Sequence, residues 1–399
     1  MLASLAQGRS VIKDYLAADD CMSTLEAFRA MGVKIQKTSR ELTIDGAGSV
    51  GLKKPTGSIN AGNSGTTVRL LSGILAGQNF SADITGDESL SKRPMKRVIE
   101  PLSKMGAVFS AKETNYLPMT VTGTKSLKPI DYLSPVASAQ VKSSVLFAGL
   151  FASGITSVTE PAKSRDHTER MLRSCGAEIE VKGLKVSVKG PARLKSFNIS
   201  VPGDISSAAF FMALAAISRS AKIKIMNVGI NPTRDGIIEV FRRMNAKLKL
   251  SNQREISGEP VADIEIESSG LLSFEIDEDI MPRLIDEIPA LVLCATQANG
   301  KSVISGAGEL RVKESDRLKT ISSELRKMGA DIEEKDDGLI IKGPVKLKGA
   351  AVESYGDHRV AMTLAVAGLI AEGETTIAGV ECVATSFPGF MEKIAELTK

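Results

Sequence analysis

One kind of helix recurs along the sequence, and that recurrence limits the fold more than any other feature. Residues 62–77, GNSGTTVRLLSGILAG, begin with small and hydroxylated residues and continue as an almost wholly apolar run. Polar residues at such a start can cap free backbone N–H groups, and an all-apolar body predicts a buried helix. Similar segments begin at Ser138, Pro202, Asp286 and Asp357. The opening MLASLAQG resembles the body of another such helix without its polar start.

A second type of helix alternates with the first. Each copy is amphipathic, ends at a Met or Cys, and is followed by Gly or Asn and a short charged strand. These ends lie at Met31, Met105, Cys175, Met244 and Met328, a period of about 70 to 85 residues. Gly after a helix supplies the left-handed conformation that ends it. Together the two patterns predict that each unit consists, in order, of a strand, a buried helix, a strand, an amphipathic helix and two strands.

These repeats predict an α/β (α+β) protein of two domains, residues 1–200 and 201–399, each with three βαβαββ units and the first unit truncated. One unit cannot bury its Ala-rich helix alone, and a chain of 399 residues is long for one core. Pro202 and Gly203 punctuate the boundary. The alternative is a doubly wound parallel sheet. The strand pair that closes each unit argues against it, as does the lack of GxGxxG after a strand.

Composition excludes several function classes. Lys plus Arg number 51 against 47 for Asp plus Glu, and aromatics are 4% with no Trp, which argues against a nucleic-acid partner. No apolar run is long enough to span a membrane, and no basic segment marks a signal peptide. The four cysteines form no CxxC and are expected to be buried thiols. With two histidines, a metal site is not expected. We expect a cytoplasmic monomer without a cofactor.

Charged residues concentrate where predicted helices begin, in residues 91–97, 164–167 and 309–317. Each cluster alone fits a solvated face with local ion pairs. Their recurrence at equivalent points favours a binding site, since Arg suits a two-pronged grip on carboxylate or phosphate. Lys313 and Arg317 are four residues apart and are expected to share a helix face.

Acids and one histidine also stand at helix starts. Asp286 and Glu287 are interpreted first as residues that cap the following helix. Glu314 lies between cations, which favour its ionised form unless a bound anion compensates for them. His358, between Asp357 and Arg359, predicts a wet, charged site. Together these residues suggest binding of one or two small anions, with acids available for proton transfer.

Nine segments, spread in order over the whole chain, resemble the EPSP synthase family, the 3-phosphoshikimate 1-carboxyvinyltransferases. The matching segments are GNSGTT (62–67), KRPM (92–95), SAQVKS (138–143), SRDHTE (164–169), VPGDISSAA (201–209), IDEIPAL (285–291), RVKESDR (311–317), GDHRVAM (356–362) and TSFPGF (385–390). The resemblance implies the two-domain enolpyruvyltransferase-like fold, with six βαβαββ units around buried parallel helices. It also implies that shikimate 3-phosphate and phosphoenolpyruvate bind in a cleft between the domains.

The same resemblance implies roles for individual residues. The 5-hydroxyl of shikimate 3-phosphate adds to C2 of phosphoenolpyruvate while C3 is protonated, and phosphate then leaves. Asp286 is the expected base and Glu314 the expected acid. The residues expected at phosphoenolpyruvate are Asn63, Gly65, Arg93, Gln140, Arg317 and Arg359. The residues expected at shikimate 3-phosphate are Ser138, Ala139, Gln140, Ser164, Arg165, Asp286 and Lys313.

Two departures from the family pattern carry expectations of their own. The family opens with a strand and a PGDKSISHR-like helix start, whereas this sequence begins at MLASLA, so we expect the chain as given to be weakly active or inactive. Some members have Lys where Thr385 stands, so that contact with phosphoenolpyruvate must come from elsewhere or be absent.

By the same resemblance, Gly65 occupies the position that decides sensitivity to glyphosate, and Gly there suggests a sensitive enzyme.

Three other interpretations remain. The sister enzyme that transfers enolpyruvyl to UDP-N-acetylglucosamine carries a reactive Cys before its RP dipeptide, and residues 87–93 contain none. A catalytically impaired remnant would keep the fold and release no phosphate. An RNA-processing enzyme on similar units is disfavoured by the near-neutral charge and few aromatics.

Overall fold

The computed structural model describes residues 1–398, and the chain divides into two compact units, Met1–Val201 and Pro202–Lys399. Each unit has its own core of buried apolar side chains. Within the described residues, no helix combines the length and apolar character needed to cross a bilayer.

The first unit alternates helices with short strands. Its helices are α1 (Leu2–Leu5), α2 (Asp19–Ala30), α3 (Gly65–Ala76), α4 (Glu88–Ser91), α5 (Lys96–Met105), α6 (Ala139–Gly149) and α7 (His167–Ser174). Its strands are β1 (Ala6–Lys13), β2 (Lys34–Lys37), β3 (Glu41–Ala47), β4 (Ile59–Asn60), β5 (Ser81–Thr85), β6 (Val108–Lys112), β7 (Tyr116–Thr122), β8 (Asp131–Leu133), β9 (Gly154–Thr159), β10 (Ile179–Lys182), β11 (Lys185–Gly190), β12 (Leu194–Lys195) and β13 (Asn198–Ser200).

Three sheets carry this unit, in the orders β12-β1-β3-β2, β4-β5-β7-β6 and β10-β11-β9-β8, with β13 also pairing β1. In the second sheet the first two strands are parallel, with Ile59 opposite Ile84, and the remaining pairs are antiparallel. The third sheet repeats this arrangement. A parallel strand joined through a buried helix, followed by an antiparallel pair, is the order that the repeat predicts.

The apolar helices α3 and α6 pack against each other inside the first unit. Gly73 makes the approach possible, because a Cβ added there would lie 2.0 Å from the backbone oxygen of Ser144. Both helices begin with a serine cap: Ser64 Oγ accepts the N–H of Thr67, and Ser138 Oγ accepts the N–H of Val141. The opening segment is helical only over α1 and enters β1 at Ala6.

The second unit contains the remaining elements. Its helices are α8 (Ile205–Ile217), α9 (Gly236–Arg243), α10 (Ile288–Gln297), α11 (Arg317–Lys327), α12 (His358–Ile370) and α13 (Phe390–Leu397), with 3₁₀ helices at Met281–Arg283, Ile285–Glu287, Gly308–Val312 and Val380–Thr385. Its strands are β14 (Lys222–Gly229), β15 (Lys247–Ile256), β16 (Glu259–Glu267), β17 (Glu275–Ile276), β18 (Gly300–Ile304), β19 (Asp331–Lys335), β20 (Gly338–Gly343), β21 (Ala351–Glu353) and β22 (Thr376–Ala378).

The repeat is complete in the β17-β18-β20-β19 sheet and reduced on either side of it. In the β14-β16-β15 sheet the expected first strand is a single bridge between Gly203 and Val228. The last sheet is the parallel pair β21-β22. After it, Phe390 of α13 stacks edge-on against Phe210 and Phe211 of α8. The expectation of five complete copies was therefore wrong for these two segments, which have a single bridge in place of the first strand and a parallel pair without further strands.

The cysteines only partly follow the expectation of buried thiols. All four are free, and Cys175 and Cys294 are buried. Cys382 is partly buried, and Cys21, in the first turn of α2, is exposed. The expectation was wrong for Cys21 because the polar start of an amphipathic helix faces solvent.

Candidate active site

The start of α3 gathers three of the residues singled out in the first unit. Arg93 donates through Nη2 to Asn63 Oδ1 at 2.7 Å, and Asn63 in turn donates to Asp87 at 2.7 Å. Gly65, the first residue of α3, leaves room for guanidinium groups: an added Cβ would lie 2.9 Å from Nη1 of Arg69 and 3.5 Å from Nη1 of Arg93. The start of a helix presents unbonded N–H groups and a partial positive charge, so this region favours an anion.

Arg69 is a site residue that the sequence argument did not single out. Its Nη1 donates to Gln140 Oε1 at 2.7 Å, and Gln140 Nε2 donates to Thr66 Oγ1 at 2.9 Å. These bonds join the starts of α3 and α6. The signal for Arg69 was its spacing of four residues from Gly65, which places both on one face of a helix.

The serines singled out at the starts of α6 and α7 lie on neighbouring helices. Ser138 precedes Ala139, the first residue of α6. Ser164 is 5% exposed, and its Oγ has no hydrogen-bond partner within residues 1–398. Arg165 is partly buried. A contact of 2.6 Å between the hydroxyls of Ser143 and Thr168 ties α6 to α7.

In the second unit, Asp286 lies among three cations. Its Oδ1 is 3.4 Å from Arg317 Nη1 and 3.8 Å from Lys313 Nζ, and its Oδ2 is 3.9 Å from Arg359 Nη2. Arg359 Nη1 also donates to the backbone oxygen of Asp286 at 3.2 Å. Glu314 accepts a hydrogen bond from Arg317 Nη2. The structure therefore brings together all five residues that the resemblance singled out in this unit.

Arg317 is at the centre of this cluster, and only 1% of its surface is exposed. Its three nitrogens face three carboxylates, including Asp357 at 2.7 Å from Nε. Burial opposes the charge of Arg317, but the carboxylates outweigh it and raise the pKa of Arg317. Burial also works against ionised Asp357, yet Arg317 holds the pKa of Asp357 below its usual range. Both groups are therefore charged at neutral pH.

His358 does not stand in a wet site, and that expectation was wrong. It is 7% exposed at the start of α12, where burial first and Arg359 second lower its pKa to about 4. The imidazole is therefore neutral at pH 7. The side chain of its neighbour Asp357 is engaged by other groups, because it pairs with Arg317 and accepts the backbone N–H groups of Arg359 and Val360.

Two local expectations were also wrong. Asp286 caps no helix, because it lies within the 3₁₀ helix Ile285–Glu287 that precedes α10. The N-cap residue of α10 is Glu287, and its side chain makes no cap hydrogen bond. Glu287 instead accepts a hydrogen bond from Ser206 Oγ. Lys313 and Arg317 share no helix face, because α11 begins at Arg317. They meet at Asp286, where the tertiary fold rather than helical spacing joins them.

The architecture and the two clusters, at the start of α3 and around Asp286, define a class: proteins of βαβαββ units that carry arginines and acids at helix starts. The family model described as EPSP synthase (3-phosphoshikimate 1-carboxyvinyltransferase) matches residues 1–394. The chain belongs to the EPSP synthase family.

Named relatives support this assignment over the full length of the chain. The chain is 55% identical over 399 residues to the 3-phosphoshikimate 1-carboxyvinyltransferase of Desulforamulus reducens, covering 100% of this chain and 93% of that protein. It is 54% identical to the protein of the same name from Endomicrobium trichonymphae, covering 100% and 94%. An EPSP synthase structure from Acinetobacter baumannii matches with a TM-score of 0.90 and 48% identity, covering 100% and 92%. The predicted enolpyruvyltransferase-like fold class is confirmed.

Proposed function

We propose that this chain transfers the enolpyruvyl group of phosphoenolpyruvate to the 5-hydroxyl of shikimate 3-phosphate and releases phosphate. This is the step that its relatives' names describe, and it belongs to the shikimate pathway to chorismate and aromatic amino acids. The observation that carries the proposal is the cluster around Asp286, where two acids and three cations meet within 4 Å. The relatives that match over the full length of this chain are named 3-phosphoshikimate 1-carboxyvinyltransferase, which disfavours the UDP-N-acetylglucosamine enzyme as an alternative.

The cationic groups are assigned to the acidic substrates. Arg93 and Arg359 bind phosphoenolpyruvate, with Asn63 and Gly65 beside Arg93. Arg359 suits this role because its side chain keeps 14% exposure beside Asp286. Arg317 is assigned to the same substrate, and its nitrogens are now held by carboxylates, so contact requires one of these carboxylates to give way.

The alcohol substrate is assigned to the other residues. Ser138, Ala139, Ser164 and Arg165 bind shikimate 3-phosphate, and Gln140 contacts both substrates. The unbonded Oγ of Ser164 supports this, because a buried hydroxyl without a partner can donate a hydrogen bond to a phosphate oxygen. Lys313 lies at the same substrate, beside Asp286.

Proton transfer is assigned to the two acids. Asp286 takes the proton of the 5-hydroxyl as its oxygen bonds to C2 of phosphoenolpyruvate, and Glu314 delivers a proton to C3. Loss of a C3 proton then reforms the double bond as the C2–O bond to phosphate breaks. The surrounding cations stabilise the charge that develops on the departing phosphate. No metal or cofactor is assigned a role.

Release of inorganic phosphate, measured with both substrates, tests the proposal. The chain is expected to release phosphate weakly and only when both are present, and product analysis should show 5-enolpyruvylshikimate 3-phosphate. Asp286→Asn removes the base without changing size, so we expect kcat to fall by roughly 10²-fold or more. Glu275→Gln, on an exposed strand residue, is the control with unchanged kcat.

Two outcomes would contradict the proposal. A folded chain that binds shikimate 3-phosphate and releases no phosphate would support the catalytically impaired remnant. Competition by UDP-N-acetylglucosamine, but not by shikimate 3-phosphate, would support the sister enzyme. We also propose that the protein is a cytoplasmic monomer. Light scattering at micromolar concentration tests whether it is monomeric.

A further inference from the structure

Three buried side chains form an ion-pair cluster beneath the starts of α6 and α7. Lys142 Nζ lies 2.9 Å from Glu160 Oε2 and 2.8 Å from Glu169 Oε1. The exposed fractions of these side chains are 2%, 3% and 4%. Ion pairs this deeply buried often add no more stability than apolar side chains of the same size would. What the cluster holds in place is therefore of interest.

Glu160 uses its second oxygen on the backbone. Its Oε1 accepts the N–H of Ser138 at 3.0 Å, so one carboxylate serves Lys142 and Ser138 together. Glu160 follows directly after β9, and its own N–H donates to the carbonyl of Leu184 at 3.1 Å. The residue that caps α6 is thereby tied to the end of β9 and to the turn between β10 and β11.

Lys142 extends this connection to the neighbouring helix. Glu169 lies in the first turn of α7, which comes just after Ser164 and Arg165. One ammonium group on α6 therefore contacts both ends of the segment 160–169, which carries Ser164 and Arg165, and its partner Glu160 also holds Ser138. None of the three charged groups was given a role in the reaction above.

We propose that Glu160, held by Lys142, is a positioning residue for shikimate 3-phosphate. It fixes the backbone of Ser138 so that Ser138 Oγ and the N–H groups of Ala139 and Gln140 meet the anion. These N–H groups belong to the first turn of α6, whose donors lack intrahelical partners. The inference rests on the proposed function, because it assigns how that substrate's site is built.

The cluster provides its own matched control. It has one cation and two carboxylates, so Glu160→Gln leaves Lys142 paired with Glu169, and Glu169→Gln leaves Lys142 paired with Glu160. Both variants remove one buried charge from the same lysine. They differ in one respect: Glu160→Gln puts an NH₂ donor in place of one of the two oxygens that face Lys142 and the Ser138 N–H, whereas Glu169→Gln leaves the bond to Ser138 intact.

The experiment compares the two variants with the unsubstituted chain in the phosphate-release assay and by calorimetric titration with shikimate 3-phosphate. We expect Glu160→Gln to raise both KM and Kd for shikimate 3-phosphate about tenfold, the loss of one charge-assisted hydrogen bond. The KM for phosphoenolpyruvate should change by less than about twofold in both variants, because the residues assigned to it do not touch Glu160. Glu169→Gln should leave all three constants within about twofold.

Equal effects of the two variants on shikimate 3-phosphate would overturn the inference while leaving the proposed function in place. So would a Glu160→Gln variant that raises both KM values alike, since a general loss of structure does that. If Glu160→Gln does not fold, Glu160→Asp and Glu169→Asp are compared in the same way. An unsubstituted chain that neither binds shikimate 3-phosphate nor releases phosphate would instead contradict the proposed function.

Discussion

Gly65 should be the position where one added methyl group alters substrate binding most and stability least. A Cβ at Gly65 would lie 2.9 Å from Nη1 of Arg69. Comfortable contact begins near ~3.5 Å, so the guanidinium must move by roughly 0.5 Å. That shift would lengthen its 2.7 Å bond to Gln140 to about 3.2 Å, the weak end of the hydrogen-bond range.

The obstacle is the end of a flexible side chain, and Gly65 begins α3 without a left-handed backbone angle. We therefore expect Gly65→Ala to change the free energy of unfolding by no more than about 1 kcal/mol, with helix propensity acting in its favour. Loss of one charge-assisted bond corresponds to about 1.5 kcal/mol or roughly a tenfold rise in KM for phosphoenolpyruvate.

Initial rates of phosphate release at varied phosphoenolpyruvate and saturating shikimate 3-phosphate measure this KM. Inhibition by glyphosate, measured in the same assay, should weaken in the variant. Gly57→Ala is the control, because that glycine is exposed and no atom of the described chain would come within 4 Å of its Cβ. A folded Gly65→Ala enzyme with unchanged KM and unchanged inhibition would refute the reasoning. So would a variant that fails to fold, since it would show that Arg69 cannot yield.

Three further perturbations test the packing and charges. Gly73→Ala places a Cβ 2.0 Å from a backbone oxygen of α6 and should lower the unfolding free energy by about 3 kcal/mol; urea unfolding measures it, and a value near zero contradicts the close approach. Arg317→Lys cannot reach three carboxylates with one ammonium, so a loss of about 3 kcal/mol is expected in the same measurement. His358→Gln removes a buried imidazole whose pKa of about 4 lies below its ordinary 6.5. As pH falls below 6.5, the unfolded chain takes up a proton on His358 that the folded protein takes up only near pH 4. The folded state therefore loses stability over this range, by about 3 kcal/mol in total. The His358→Gln variant should lose less stability over the same range. Parallel pH profiles would contradict this assignment.

The repeat and the helix starts could be predicted from sequence because they depend on neighbouring residues. Ser64, Ser138, Asp204 and Asp357 all accept a backbone N–H at the start of a buried helix, as their place before an Ala-rich run indicates. The expected secondary structure was wrong for segments whose conformation is not set by neighbouring residues. The 3₁₀ turn at Asp286 and the strandless end after β22 depend on what packs against them.

By itself, the sequence determined which residues stand at helix starts, where the apolar helices lie and which family's segments the chain carries. Only the tertiary structure decided which of those residues meet. Arg69 reaches Gln140 across 71 residues of chain, and Arg317 collects carboxylates 31 and 40 residues away. Residues this far apart are joined by the packing of whole helices and by the rotamers that burial permits. Neither is written in local spacing, which is why the contact of Arg69 with Gln140 and the Lys142 cluster came to light only in the folded chain.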